Sequence, residues 1–133
     1  MRRFVLAFAA LTLLLTGHAA AEPLKIVASF SILGDMTRNV AGADADIHVL
    51  VGPDGDAHVF EPAPTDLSAV AGADVLIVNG LGFEGFMERL TGAAEFKGRL
   101  VVASDGIAAR SDEHGLDPHA WQSLANAEIY VRN

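Results

Sequence analysis

Apolar positions fall along this chain in two alternating patterns. Leu24 to Ala28, LKIVA, is a short apolar run and reads as a buried strand. Ile32, Leu33, Met36 and Val40 follow at helical spacing, which predicts a helix opened by Ser29-Phe30-Ser31. Ser31 suits its N-cap and Gly42 its C-terminal stop. Ile47 to Val51 is a second strand, Asp74 to Val78 a third and Arg99 to Ala103 a fourth. Between them, Pro64 suits the first position of a helix running to Ala73. Gly82 to Leu90 reads as another helix, closed by Gly92, and the chain is helical again from Gln122. Strands alternating with helices predict an α/β fold with a parallel four-stranded sheet flanked by helices. Near-continuous apolar strands imply cover on both faces.

Two predicted loops are long: Gly52 to Ala63, and Ser104 to Pro118. Unstructured connections beyond about 12 residues are uncommon in compact domains and often functional. Both loops leave the carboxyl end of a strand, where open parallel sheets bind ligands. The first holds His58, in GDAHVFEP at 55–62; the second runs into His119, in DPHAW at 117–121. The pattern therefore places His58 and His119 at one rim of the sheet. Carboxylates stand close by in sequence: Asp56 and Glu61 by His58, and Asp117 by His119. They can orient the rings from behind or complete a site. Imidazole with carboxylate suits Zn²⁺, and Mn²⁺ where carboxylate predominates. Two ligands are too few for a tetrahedral site, so the rest must come from elsewhere. His48 falls inside the second strand and reads as structural. His114 lies in the acidic stretch Ser111 to His114 and reads as a solvated loop residue.

The amino terminus changes the picture. Arg2 and Arg3 precede an apolar run from Phe4 to Leu15, and Ala19-Ala20-Ala21 follows as a small-residue cleavage pattern. This predicts a secretory signal peptide over residues 1–21, on the ordinary route and not the twin-arginine one. Without Arg2 and Arg3 the remaining 112 residues carry 7 basic against 17 acidic side chains, a net charge of −10. Such a chain is a poor partner for nucleic acid or an anionic membrane surface. There is no cysteine. The expected product is therefore free in the compartment it is exported to, held by its hydrophobic core and not by disulfides, and not lipid-anchored. The last residues, NAEIYVRN, contain no stop signal, so the chain reads as a fragment truncated at Asn133.

One motif competes. Gly80-Leu81-Gly82-Phe83-Glu84-Gly85 is a formal G-x-G-x-x-G between a strand and a helix, with Asp105 twenty residues on. That spelling suits a dinucleotide-binding oxidoreductase. Three features count against it. It sits in the third strand–helix unit. Glu84 puts a negative charge where a pyrophosphate needs amides. An exported protein also meets little free dinucleotide. The better reading is that Gly82 and Gly85 serve a tight turn and a close helix–sheet approach. H-E-x-x-H and G-x-S-x-G are both missing from the sequence, so no hydrolase is expected.

Four segments together resemble a known family: ASFSILGDM at 28–36, LVGPDGDAHVFEP at 50–62, ADVLIVNGLGFEGFMERL at 73–90 and DPHAW at 117–121. They are similar to the N-terminal lobe of the zinc/manganese-type solute-binding proteins of bacterial ABC importers. The resemblance implies two α/β lobes joined by a long helix, with metal in the cleft between them. It implies metal-ligand roles for His58 and His119, with further ligands from a second lobe. It implies a periplasmic location, Zn²⁺ or Mn²⁺ as cargo, an ABC permease as partner, no dinucleotide and no enzyme activity. On this reading residues 1–21 are the signal peptide and 22–121 the metal-binding lobe. Residues 122–133 begin a helix towards the linker and second lobe. Zinc members often carry a His-rich acidic insertion before DPH; only Ser111-Asp112-Glu113-His114 stands there.

Overall fold

The computed structural model describes residues 21–113 and 115–133. Apart from Ala21, the expected signal peptide lies outside the described residues, as does His114. The elements are β1 (Leu24–Phe30), α1 (Ser31–Ala41), a 3₁₀ turn (Gly42–Asp44), β2 (Ala45–Val51), α2 (Pro64–Ala71) and β3 (Val75–Val78). After them come α3 (Met87–Ala93), β4 (Arg99–Val102), β5 (Ser111–Asp112), β6 (Gly115–Leu116), a 3₁₀ turn (Ala120–Gln122) and α4 (Leu124–Arg132).

The four main strands form one parallel sheet in the order β2-β1-β3-β4. This is the predicted architecture, with the strand order now fixed. The chain steps from β1 to β2 on one side, then returns past β1 to β3 and β4. Right-handed crossovers in opposite directions put helices on opposite faces. Accordingly α1 packs on β1, β2 and α4, while α2 packs on α3. The direction reverses between β1 and β3, so the ligand crevice of such a sheet opens above their carboxyl ends.

Burial follows strand position. In β1, Ile26 to Phe30 are buried, as a central strand requires. Cover on both faces does not extend to the sheet edges. β2 alternates half-buried and exposed residues before Leu50, and Leu100 in edge strand β4 is 52% exposed. The core is built on Val27, Leu33, Val51, Val70 and Leu76. Two fully buried polar residues, Ser29 and Asn79, sit among these side chains at the carboxyl ends of β1 and β3.

Several boundaries differ from expectation. Ser31 is the first residue of α1 and not its cap; β1 runs through Phe30 directly into the helix, and no side chain caps it. Gly42 does stop the helix, at φ +58°, with its N–H donating to the Arg38 carbonyl. Pro64 opens α2, where the Asp66 carboxylate accepts the Ala63 N–H at 2.8 Å.

The largest difference is α3, which begins at Met87 and not at Gly82. Gly80, Leu81 and Gly82 all adopt left-handed conformations, at φ +82°, +56° and +78°. No helix can start through such a run. The helix then passes through Gly92 and ends in a Schellman turn, with Phe96 N–H donating to Thr91 and Glu95 N–H to Gly92. The left-handed residue there is Glu95, at φ +48°. A glycine-based stop signal therefore pointed three residues early. The close approach expected of Gly85 belongs to Gly80, where a Cβ would come within 2.5 Å of a Val102 methyl carbon. A Cβ at Gly85 would meet nothing within 4 Å. Finally, the second long loop contains the small β5–β6 hairpin, too short to register as strands in sequence.

Candidate metal half-site

Each histidine is presented by the same local device. Asp56 Oδ1 accepts the N–H of His58 at 2.9 Å, and Asp117 Oδ1 accepts the N–H of His119 at 3.0 Å. Asp-x-His is thus an Asx-turn used twice, with the aspartate folding back on the backbone two residues on. The first loop is pinned below by buried Ala57 and by Phe60, whose ring meets Phe86 at 5.0 Å.

The loops leave β2 and β4, the opposite edges of the sheet, and meet over its centre. The His58 and His119 rings lie 5.6 Å apart between centroids, at an interplanar angle of 60°. Phe83 is their common floor, at 5.0 Å from His58 and 5.8 Å from His119. Trp121 flanks His119 at 5.3 Å, and Phe30 supports both Phe83 and Trp121 from below. The sequence thus correctly brings these two histidines to one rim. The aromatic floor was not anticipated: its members come from β1, the β3–α3 turn and the DPHAW segment.

The protonation pattern follows from the hydrogen bonds. His119 Nδ1 lies 2.8 Å from Asp117 Oδ1. An ionised carboxylate only accepts, so Nδ1 carries the hydrogen, and in the neutral ring that leaves the lone pair on Nε2. The backbone and ring hydrogen bonds from His119 hold the Asp117 carboxyl below its usual range. Among the described residues no hydrogen bond engages the His58 ring, leaving its nitrogens available. A polar cleft of about 490 Å³ opens beside His119, lined by Arg110, Asp117 and Gln122, and it does not reach His58.

The other carboxylates do not join the pair. Asp56 is spent on its turn. Glu61, one of the carboxylates that could orient the rings or complete a site, is turned towards Arg89 at 3.7 Å, with both side chains exposed. Among the described residues no group of three or more His, Cys, Asp or Glu side chains could hold a metal ion. The geometry is a pair of neighbouring imidazoles, a candidate half-site. His48 stands apart on edge strand β2, with Nε2 3.3 Å from Asp66 Oδ1, the carboxylate that caps α2. Its structural reading holds.

Beneath the half-site lies a polar layer that sequence reasoning missed. The Glu84 carboxylate accepts the N–H of Asn79 at 2.6 Å, the N–H of Gly80 at 3.1 Å and the Ser29 hydroxyl at 2.6 Å. It ties the ends of β1 and β3 together. The Asn79 amide donates to the carbonyls of Gly80 and Pro118 and accepts the Tyr130 hydroxyl. The only sequence signal was a polar residue ending an apolar strand, in DVLIVNG.

Burial, and secondarily the negative Glu84, push the Tyr130 phenol up to about 12 from 10.0. The folded state therefore favours the protonated phenol. Its contribution to stability is complete below pH 10.0 and is lost as pH rises towards about 12. Thermal melts should accordingly show the chain losing stability above pH 10, and Tyr130→Phe should flatten that alkaline limb. An unchanged limb in the variant would place the cause in another group.

Residues 26–133 match the family model described as zinc-uptake complex component A periplasmic (ZnuA). Over 111 residues the chain is 42% identical to the manganese-binding lipoprotein MntA of Halalkalibacterium halodurans, covering 83% of this chain and 37% of that protein. It is 36% identical over 129 residues to the iron ABC transporter substrate-binding lipoprotein MtsA of Streptococcus pyogenes serotype M1, covering 89% of this chain and 42% of that protein. The Mn-bound periplasmic metal binding protein from Candidatus Liberibacter asiaticus superposes with a TM-score of 0.74 at 31% identity, covering 80% of this chain and 41% of that one. The chain thus spans about two-fifths of the length of these proteins. Both curated relatives are named lipoproteins. That overturns the expectation of a product without a lipid anchor. The expectation rested on missing cysteine, which speaks only of these 133 residues.

Proposed function

This chain belongs to the periplasmic zinc-uptake component A family, and we propose that it is the first metal-holding lobe of a solute-binding protein that feeds an ABC permease. The cargo is a divalent transition metal, with His58 and His119 as its donors in this lobe. The observation that carries the reading is the ring pair itself. Two imidazoles from opposite sheet edges meet over the switch point, on matched Asx-turns, with ring nitrogens that among the described residues bond only to Asp117. Residues 1–21 are its signal peptide and 22–121 the lobe, with 122–133 beginning the path to a second lobe. That second lobe supplies the remaining ligands, since two donors do not complete a Zn²⁺ or Mn²⁺ shell.

Zn²⁺ is the favoured cargo and Mn²⁺ the alternative. The relatives' names divide between metals, so the preference rests on donor chemistry. For a given nitrogen and oxygen donor set Zn²⁺ binds more tightly than Mn²⁺. The role is carriage and not catalysis, a reading supported by the relatives, which are named as metal-binding and substrate-binding proteins. Nor do we assign a dinucleotide. The amides of Asn79 and Gly80, which would receive a pyrophosphate, already donate to the Glu84 carboxylate.

Thermal-shift and calorimetric titrations with Zn²⁺, Mn²⁺ and NAD test this. A ligand of the folded state at 100 times its Kd adds about 2.7 kcal/mol of stability. Zn²⁺ should stabilise the chain with weak affinity, Mn²⁺ more weakly still, and NAD not at all. Stabilisation by NAD without response to either metal would reverse the ranking.

A further inference from the structure

We propose that Asn79 and Tyr130 are positioning residues for the half-site: they clamp the backbone at Pro118 and so fix where His119 is presented. The inference rests on His119 being a metal donor. Asn79 is fully buried at the carboxyl end of β3. Its two amide hydrogens go to the carbonyls of Gly80, at 3.0 Å, and Pro118, at 2.9 Å. Its oxygen accepts the Tyr130 hydroxyl at 2.5 Å. A flipped amide would set its oxygen against two carbonyl oxygens, so the three contacts define one orientation.

Pro118 precedes His119 and has no N–H. Its carbonyl is therefore its only backbone hydrogen-bonding group, and Asn79 holds it. The path runs from α4 through the Tyr130 hydroxyl and the Asn79 amide to the backbone beside His119. Among the described residues neither side chain hydrogen-bonds to the loop carrying His58. The clamp therefore acts on one histidine and not the other. This asymmetry separates positioning from general support of the core, which would serve both.

Tyr130→Phe removes the hydroxyl and keeps the ring. Val70→Ala, a fully buried truncation in α2, serves as the control for general destabilisation. Residue-resolved hydrogen exchange and histidine side-chain NMR are read without metal, and Zn²⁺ affinity is then titrated. Tyr130→Phe should speed exchange at the His119 amide and shift its ring signals, with exchange at the His58 amide unchanged. Its Zn²⁺ affinity should fall about tenfold, the low end for loss of a group that orients a metal ligand. Val70→Ala should do none of these. Should Tyr130→Phe not fold, Asn79→Ser carries the comparison, because its shorter side chain cannot span to Pro118. Unchanged His119 signals, or an equal response in Val70→Ala, would overturn the clamp. A wild-type chain that binds no Zn²⁺ would sink the metal reading, while the exchange comparison judges the clamp on its own.

Discussion

His58→Ala and His119→Ala should each abolish most Zn²⁺ binding by this chain. Structural zinc sites with four protein ligands bind with about 10–16 kcal/mol, or roughly 3 kcal/mol per ligand. At about 1.4 kcal/mol per tenfold, losing one ligand weakens binding by roughly a hundredfold. The loss is severe here because the half-site starts with two donors. His48→Ala should leave affinity unchanged, since that ring lies on β2 against Asp66. His114→Ala should also leave it unchanged. Acidification should weaken binding in the wild type, because protons compete for the same ring nitrogens. Calorimetric titration of the four variants decides the assignment. Binding that survives His58→Ala but is lost in His114→Ala would falsify it.

How much of this was legible in the sequence follows from where the information lies. Strand and helix faces are set by spacing over a few residues, and the four strands emerged with errors only at their ends. The meeting of His58 and His119 was legible because two long loops left strand carboxyl ends. Topology did the rest. The segment between β3 and α3 was not legible. Its conformation is decided by a carboxylate that turns back to its own backbone and to Ser29, 55 residues away in sequence. Helical periodicity through Phe83 and Phe86 belongs there to two separate tertiary contacts, not to one helix face. The α3 terminus was missed for a related reason: the left-handed position is occupied by Glu95, which no propensity rule selects. Asn79 and Tyr130 recognise each other across 51 residues, a pairing that local pattern cannot carry.

Phe83→Ala should be the most damaging single change near the site. The ring is 6% exposed and touches four others: Phe30, Trp121, His58 and His119. Truncating a buried phenylalanine costs about 3–5 kcal/mol, through lost transfer energy and the cavity left behind. Each kcal/mol lowers the Tm of a domain near 100 residues by about 4–8 °C, so the melt should fall by at least about 12 °C. The damage should extend to metal binding even where the variant is folded. Both imidazoles rest on the same ring, and freeing two side chains returns conformational entropy that binding must then remove. Phe83→Leu separates the two effects. It refills much of the cavity but offers no flat floor, so most stability should return while Zn²⁺ affinity stays reduced. A Phe83→Leu variant with wild-type affinity would show that burial alone, and not the aromatic face, holds His58 and His119 in place.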